Sequence, residues 1–114
     1  IIEPNEREKM LSEFAGIRGV KSFASHPMLI EAVSQSAFKV NGLKSVCKTL
    51  RIYLARSVAL GDELNDVEMI EAAGLGVAMG NAVNEAKRVA DCVTADCDAD
   101  GVAKVIEKVV SGEL

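Results

Sequence analysis

The run Ser57-Val58-Ala59-Leu60-Gly61-Asp62-Glu63-Leu64-Asn65-Asp66-Val67-Glu68-Met69-Ile70 decides the fold. A short apolar segment ends at Gly61, two aspartates four positions apart follow it, and an apolar pattern of helical period begins at Val67. The reading is strand, tight turn, helix. In an open α/β sheet such a turn lies at the carboxyl end of a strand, where these folds bind ligands, so Asp62 and Asp66 are expected to project into a crevice. Two carboxylates and the Asn65 amide around one loop suit a hard cation such as Mg²⁺, which takes oxygen ligands and keeps several waters. A phosphate substrate would complete the shell. The simpler alternative is that Asp62 or Asn65 caps the following helix. One cap needs one side chain, however, and here three polar groups crowd five positions after an apolar strand.

Working outward toward the amino end, Ser34 to Lys44 reads as a loop running into a helix whose apolar positions are Leu43, Val46, Cys47 and Leu50. Lys39 is placed just ahead of that helix. A cation there opposes the positive end of the helix dipole unless an anion is nearby. Further upstream, Ile1 and Ile2 resemble the tail of a strand, Pro4 opens a charged helix over about Asn5 to Ala15, and Gly16 and Gly19 close it. Val20 to Ser25 is a strand, His26-Pro27 a turn, and Met28 to Val33 a second extended run. His26 reads as a surface turn residue.

Toward the carboxyl end, Leu75 to Met79 is a strand framed by Gly74 and Gly76, Gly80-Asn81-Ala82 a turn, and Val83 to Ala90 a helix. Asp91 to Thr94 is a short last strand, and Asp100 to Val110 a helix with Val102, Val105, Ile106 and Val109 on one face. From Met28 onward the order is four β-α units, which predicts a mainly parallel sheet with right-handed crossovers. The fold class is α/β.

Composition sets limits on function. At 114 residues the chain is one domain or less, large enough for a core but small for a complete α/β enzyme. With three Phe, one Tyr and no Trp it carries no evident base-stacking platform, and a net charge of −4 with scattered Lys and Arg argues against nucleic acid and anionic membranes as partners. Cys47, Cys92 and Cys97 form an odd set without metal-finger spacing and read as reduced thiols of a cytoplasmic protein. No apolar run approaches the ~20 residues of a membrane span. The start at Ile1, without Met or a signal sequence, predicts a piece of something longer or a processed chain.

A competing binding site lies at Asp96-Cys97-Asp98-Ala99-Asp100-Gly101, with Glu107 beyond it, because its acids and glycine satisfy the spacing of an EF-hand calcium loop. Against that reading, Lys104 and Ala103 stand where a ligand and a bulky apolar residue belong, and the segment before Asp96 is a poor entering helix. The alternative is that Asp98 or Asp100 caps the last helix.

Gly61-Asp62-x-x-Asn65-Asp66, followed by Ala73-Gly74-Leu75-Gly76-Val77-Ala78-Met79-Gly80-Asn81-Ala82, closely resembles the fourth motif of haloacid dehalogenase-like hydrolases, in particular their Cof-type phosphatase branch. The resemblance implies a Rossmann-like parallel sheet, with residues 28–114 as the carboxyl-terminal half of the core and residues 1–27 as the closing β-α-β of a cap domain. It also implies a Mg²⁺-dependent phosphatase acting on small phosphorylated metabolites through an aspartyl phosphate. By resemblance Asp62 ligates Mg²⁺, Asp66 supports the metal shell through water or by orienting a lysine, and Asn65 and Asn81 shape the loop toward substrate. The third-motif lysine, which holds the phosphoryl group, is Lys39 in Lys39-Val40-Asn41-Gly42-Leu43, with Lys44 close by.

Asp98-Ala99-Asp100-Gly101 imitates the family's nucleophile motif but follows no apolar strand, so Asp98 is not the nucleophile. With that motif absent, these residues alone are expected to hydrolyse phosphomonoesters very poorly or not at all. A catalytically inactive regulatory half-domain is the remaining alternative. A half-sheet would expose an unpaired edge, so marginal stability or self-association through it is expected.

Overall fold

The computed structural model describes every residue except Ile1, Ile2, Pro4 and Pro27, and of Ala24, Ser25 and His26 the backbone alone. The strand expected at Ile1 and Ile2, the Pro4 helix start and the Pro27 half of the first turn therefore lie outside the described residues. The chain divides into two compact units, Ile1–Phe38 and Lys39–Leu114.

In the first unit, α1 (Arg7–Ala15) begins two residues later than the sequence suggests, with no side-chain cap from Glu6. Gly19, at φ +82°, supplies the left-handed step into β1 (Val20–His26), a conformation that costs glycine little. β1 pairs antiparallel with β2 (Leu29–Ser34), Val20 opposite Ser34. The run Met28 to Val33, expected to lead the parallel repeat, is thus the second arm of a hairpin. The two residues between the strands allow no crossover, and parallel pairing of neighbours needs a dozen or more. The Gln35 N–H donates to the Gly19 carbonyl at 2.8 Å across the open end. The Lys21 ammonium lies 4.7 Å from the centre of the Phe38 ring, a cation–π contact.

The second unit holds the three-stranded parallel sheet. Its elements are α2 (Lys39–Leu50), β3 (Val58–Gly61), α3 (Val67–Ala72), β4 (Leu75–Ala78), α4 (Asn84–Val89), β5 (Cys92–Val93) and α5 (Gly101–Ser111). The strand order is β3-β4-β5, with Leu60 opposite Val77 and Ala78 opposite Val93. Each strand is followed by a helix, the arrangement that makes parallel pairing feasible. The fold is α/β with a Rossmann-like parallel sheet.

The core of this unit is Ile70, Ala78, Met79, Ala82 and Ala86, with Val67, Val83, Val89 and Ala90 packed against it. Glycines let β4 and the residue before it lie close to α3 and to Ala55. A Cβ on Gly76 would stand 2.3 Å from the Ile70 carbonyl oxygen, and one on Gly74 2.0 Å from that of Ala55.

The two helical faces expected to be buried are only half so. On α2, Val40 and Cys47 are buried, but Val46 and Leu50 are exposed. On α5, Val105 is buried while Val102, Ile106 and Val109 face outward. Helical period identifies the apolar stripe and leaves open how much of it a neighbour covers. β3 and β5 are the edges of the sheet.

Candidate functional site

Gly61 ends β3, and its lack of a side chain is what shapes the loop beyond it. A Cβ there would lie 2.4 Å from the Asp66 Cβ and 2.7 Å from its Oδ2. The bare backbone lets Asp66 fold back over the end of the strand. Its Oδ2 accepts the N–H groups of Asp62 at 3.0 Å and Glu63 at 3.1 Å, and the turn Leu64–Asp66 is closed by a reciprocal capping box between Glu63 and Asp66. The cap is thus shared by Glu63 and Asp66, neither of them a residue weighed for it from sequence.

The other oxygen of Asp66 meets Lys39. The Lys39 Nζ donates to Oδ1 at 2.5 Å. Lys39 proves to be the first residue of α2 rather than a residue ahead of it, and the buried carboxylate is the anion that offsets its place at the positive end of the helix dipole. Burial pushes the Asp66 pKa upward, but the Lys39 hydrogen bond, the Glu63 and Asp62 amides and the Lys39 charge together hold it below the ordinary aspartate value. Asp66 is 3% exposed, whereas the Lys39 side chain is 49% exposed. Lys39 makes no other side-chain hydrogen bond among the described residues, leaving two N–H bonds on its open side. Lys44, farther along α2 and exposed, forms no ion pair among the described residues.

Asp62 sits one turn of chain earlier and is held differently. Its N–H is taken by Asp66, and its carbonyl oxygen accepts the Val83 N–H at 2.9 Å. Its Oδ2 accepts from Asn81 Nδ2 at 3.1 Å. Oδ1 has no hydrogen-bond partner among the described residues. Asn65 is exposed and its side chain makes no hydrogen bond among them. Asn81 is engaged at both ends, because its Oδ1 accepts the Cys97 N–H at 3.0 Å. Lys39, Asp62, Asp66 and Asn81 therefore join one hydrogen-bonded assembly, and Asn65 borders it on the same loop.

Neighbouring loops are stitched together by backbone bonds, Met79 N–H to Gly61 O, Gly80 N–H to Ala95 O and Thr94 N–H to Ala78 O. The part missed in the sequence is the loop after β5. Its contribution is a main-chain amide at Cys97, which no residue type announces.

One free carboxylate oxygen beside an exposed amide fits a cation that takes few protein ligands and keeps its waters, as Mg²⁺ does. It does not make a closed cage. Among the described residues no three His, Cys, Asp or Glu side chains converge on one point.

The calcium-loop alternative lacks its framework. Asp96 is preceded by β5 instead of a helix, and Asp100, in the left-handed region at φ +57°, opens α5 without a side-chain cap. An EF-hand places its loop between two helices.

The chain matches the family model of haloacid dehalogenase-like hydrolases over residues 2–106. It is 48% identical over 77 residues to the phosphatase YwpJ of Bacillus subtilis, covering 68% of this chain and 27% of that protein. With the 5-amino-6-(5-phospho-D-ribitylamino)uracil phosphatase YcsE of the same organism it shares 39% over 100 residues, 88% of this chain and 40% of YcsE. Among solved structures, a haloacid dehalogenase-like hydrolase from Bacteroides thetaiotaomicron superposes with a TM-score of 0.87 at 35% identity, over 94% of this chain and 41% of that one. The chain thus spans less than half the length of these three proteins. With the strand, turn and helix around Asp62 and the Lys39–Asp66 pair in place, these matches settle its kinship: the chain belongs to the haloacid dehalogenase-like hydrolases.

Proposed function

We propose that the 114 residues form the charge-stabilising part of a Mg²⁺-dependent phosphatase of small phosphomonoesters. The observation that carries this reading is the pairing of Lys39 with a buried, ionised Asp66 beside the free Oδ1 of Asp62. Asp62 holds the cation through Oδ1. Asp66, with both oxygens engaged, acts through Lys39, fixing its ammonium so that the two remaining N–H bonds meet phosphoryl oxygens. Asn65 offers its amide to the substrate or to water on the cation. When bound, Mg²⁺ supplies Lewis-acid stabilisation of phosphoryl charge, a contribution of several kcal/mol in such sites.

An aspartyl-phosphate route requires a carboxylate at the end of another apolar strand, and the Asp-x-Asp-Gly run of these residues, Asp98–Gly101, lies in and after the turn Cys97–Ala99 instead. We therefore assign residues 39–114 to the carboxyl-terminal half of a catalytic core and the α1–hairpin unit to the end of a cap. The substrate class follows the phosphorylated ribitylamino-uracil in the name of YcsE. The three free thiols support a cytoplasmic location, and no described helix is long and apolar enough to cross a membrane. The free edge of β3 supports self-association of the 114 residues taken alone.

The test is phosphomonoester turnover with and without Mg²⁺. The 114-residue chain should show none. A protein in which an apolar strand ending in Asp-x-Asp-Gly precedes these residues should be active, and Asp62→Asn or Lys39→Met should abolish that activity. Mg²⁺-dependent turnover by the 114 residues alone, lost on Asp62→Asn, would overturn the assignment of the nucleophile to another segment.

A further inference from the structure

We propose that Asn81 is a positioning residue: its amide clamps the Asp62 carboxylate in one orientation and thereby makes cation affinity depend on the loop that follows β5. The inference rests on the reading of Asp62 as the cation ligand. The family resemblance turns Asn81 toward substrate, yet both ends of its amide are already used, Nδ2 on Asp62 Oδ2 at 3.1 Å and Oδ1 on the Cys97 N–H at 3.0 Å.

The orientation of the amide has one solution. A backbone N–H can only donate, so Oδ1 must face Cys97. That turns Nδ2, a donor, toward Asp62 Oδ2, which accepts. The Cys97 amide therefore selects which end of Asn81 meets Asp62, although Cys97 makes no hydrogen bond to Asp62 itself. With Oδ2 tied, Oδ1 is the oxygen left for a cation. Hydrogen bonds to a ligating carboxylate of this kind orient it, and their loss typically weakens metal binding about 10–100-fold.

A proline at position 97 removes the one N–H in question while fitting the backbone. Cys97 is the first residue of the turn Cys97–Ala99, where proline is favoured, and Asp96 before it is already extended at φ −73°, ψ 177°. It is compared with Cys97→Ala, which also lacks the thiol but keeps the amide.

Mg²⁺ is titrated into the 114-residue chain by calorimetry, and the Asp62 side-chain rotamer is read in the metal-free chain from its scalar couplings. Asn81→Ala is expected to weaken Mg²⁺ binding about tenfold or more, with Cys97→Pro shifting in the same direction relative to Cys97→Ala and the metal-free melting midpoints preserved. Both should turn a single Asp62 rotamer into an average.

If Asp62→Asn abolishes Mg²⁺ binding but Asn81→Ala retains the parent affinity and a fixed Asp62 rotamer, the clamp is wrong and the cation reading stands. If Asp62→Asn leaves Mg²⁺ binding unchanged, or the parent chain binds none, the cation reading fails. The rotamer measurement then decides the clamp on its own.

Discussion

Lys39 and Asp66 lie 27 positions apart in the chain and meet at 2.5 Å, one at the start of α2 and the other folded over the end of β3. The contact ties the first helix of the parallel unit to its first strand. It also resolves two local conflicts at once, a cation at a helix amino terminus and a carboxylate out of water.

Removing either partner should therefore cost stability as well as chemistry. Asp66→Asn places an amide donor against Lys39 or against the Asp62 and Glu63 N–H groups. It is expected to destabilise the parallel unit by about 2–3 kcal/mol, the scale of a lost charged hydrogen bond. Lys39→Met should cost less, about 1 kcal/mol, because the half-exposed lysine is partly screened and water can reach the vacated oxygen. Urea unfolding of the two variants checks the order, and a larger loss in Lys39→Met contradicts it.

The acid limb of stability should carry the same signature. Since folding lowers the Asp66 pKa, the native state keeps this group ionised where the unfolded chain has begun to take up a proton. Its contribution is complete above the ordinary aspartate value of about 3.9 and fades as pH falls through the lower folded value. Unfolding free energies measured from neutral pH into this acid range should fall more steeply for the parent chain than for Asp66→Asn.

Gly61→Ala is the sharpest test of how the loop is built. The added methyl would lie 2.4 Å from the Asp66 Cβ, so Asp66 has to move. The expected loss is about 1–3 kcal/mol, as for overpacking elsewhere, accompanied by release of Lys39. Crystallography or the Lys39 ammonium resonance shows whether the ion pair survives.

Glu107→Gln separates the calcium motif from the aspartate loop. Glu107 lies within α5 and faces no assembled ligand set among the described residues. Neither the melting midpoint in Ca²⁺ nor Mg²⁺ binding is expected to change. A Ca²⁺-specific stabilisation lost in this variant would restore the calcium reading.

Most of the parallel unit was legible because its signals are local. Gly61, Gly74 and Gly76 punctuate strands and helices at close approaches, and a continuous apolar run gives way to a helical period across Asp62 to Val67. Strand partners were less accessible. Met28 to Val33 reads equally well as a core strand or a hairpin arm, and only the short connection to β1 decides. The hydrogen-bonded assembly of the candidate site was legible where side chains carry it, at Lys39, Asp62 and Asp66. It was not where the main chain does. The Cys97 amide has no signature in residue type, and the two engaged ends of Asn81 depend on loops that only the fold brings together.

Gly61, Asp62, Asn81 and Ala95 each bond to the main chain of a different loop segment, accepting from the amides of Met79, Val83, Cys97 and Gly80 respectively. Cross-links of this density favour opening of these loops as one cooperative unit rather than loop by loop. Slow amide exchange should then strike the amides of Met79, Gly80, Val83 and Cys97 together, with a single opening rate.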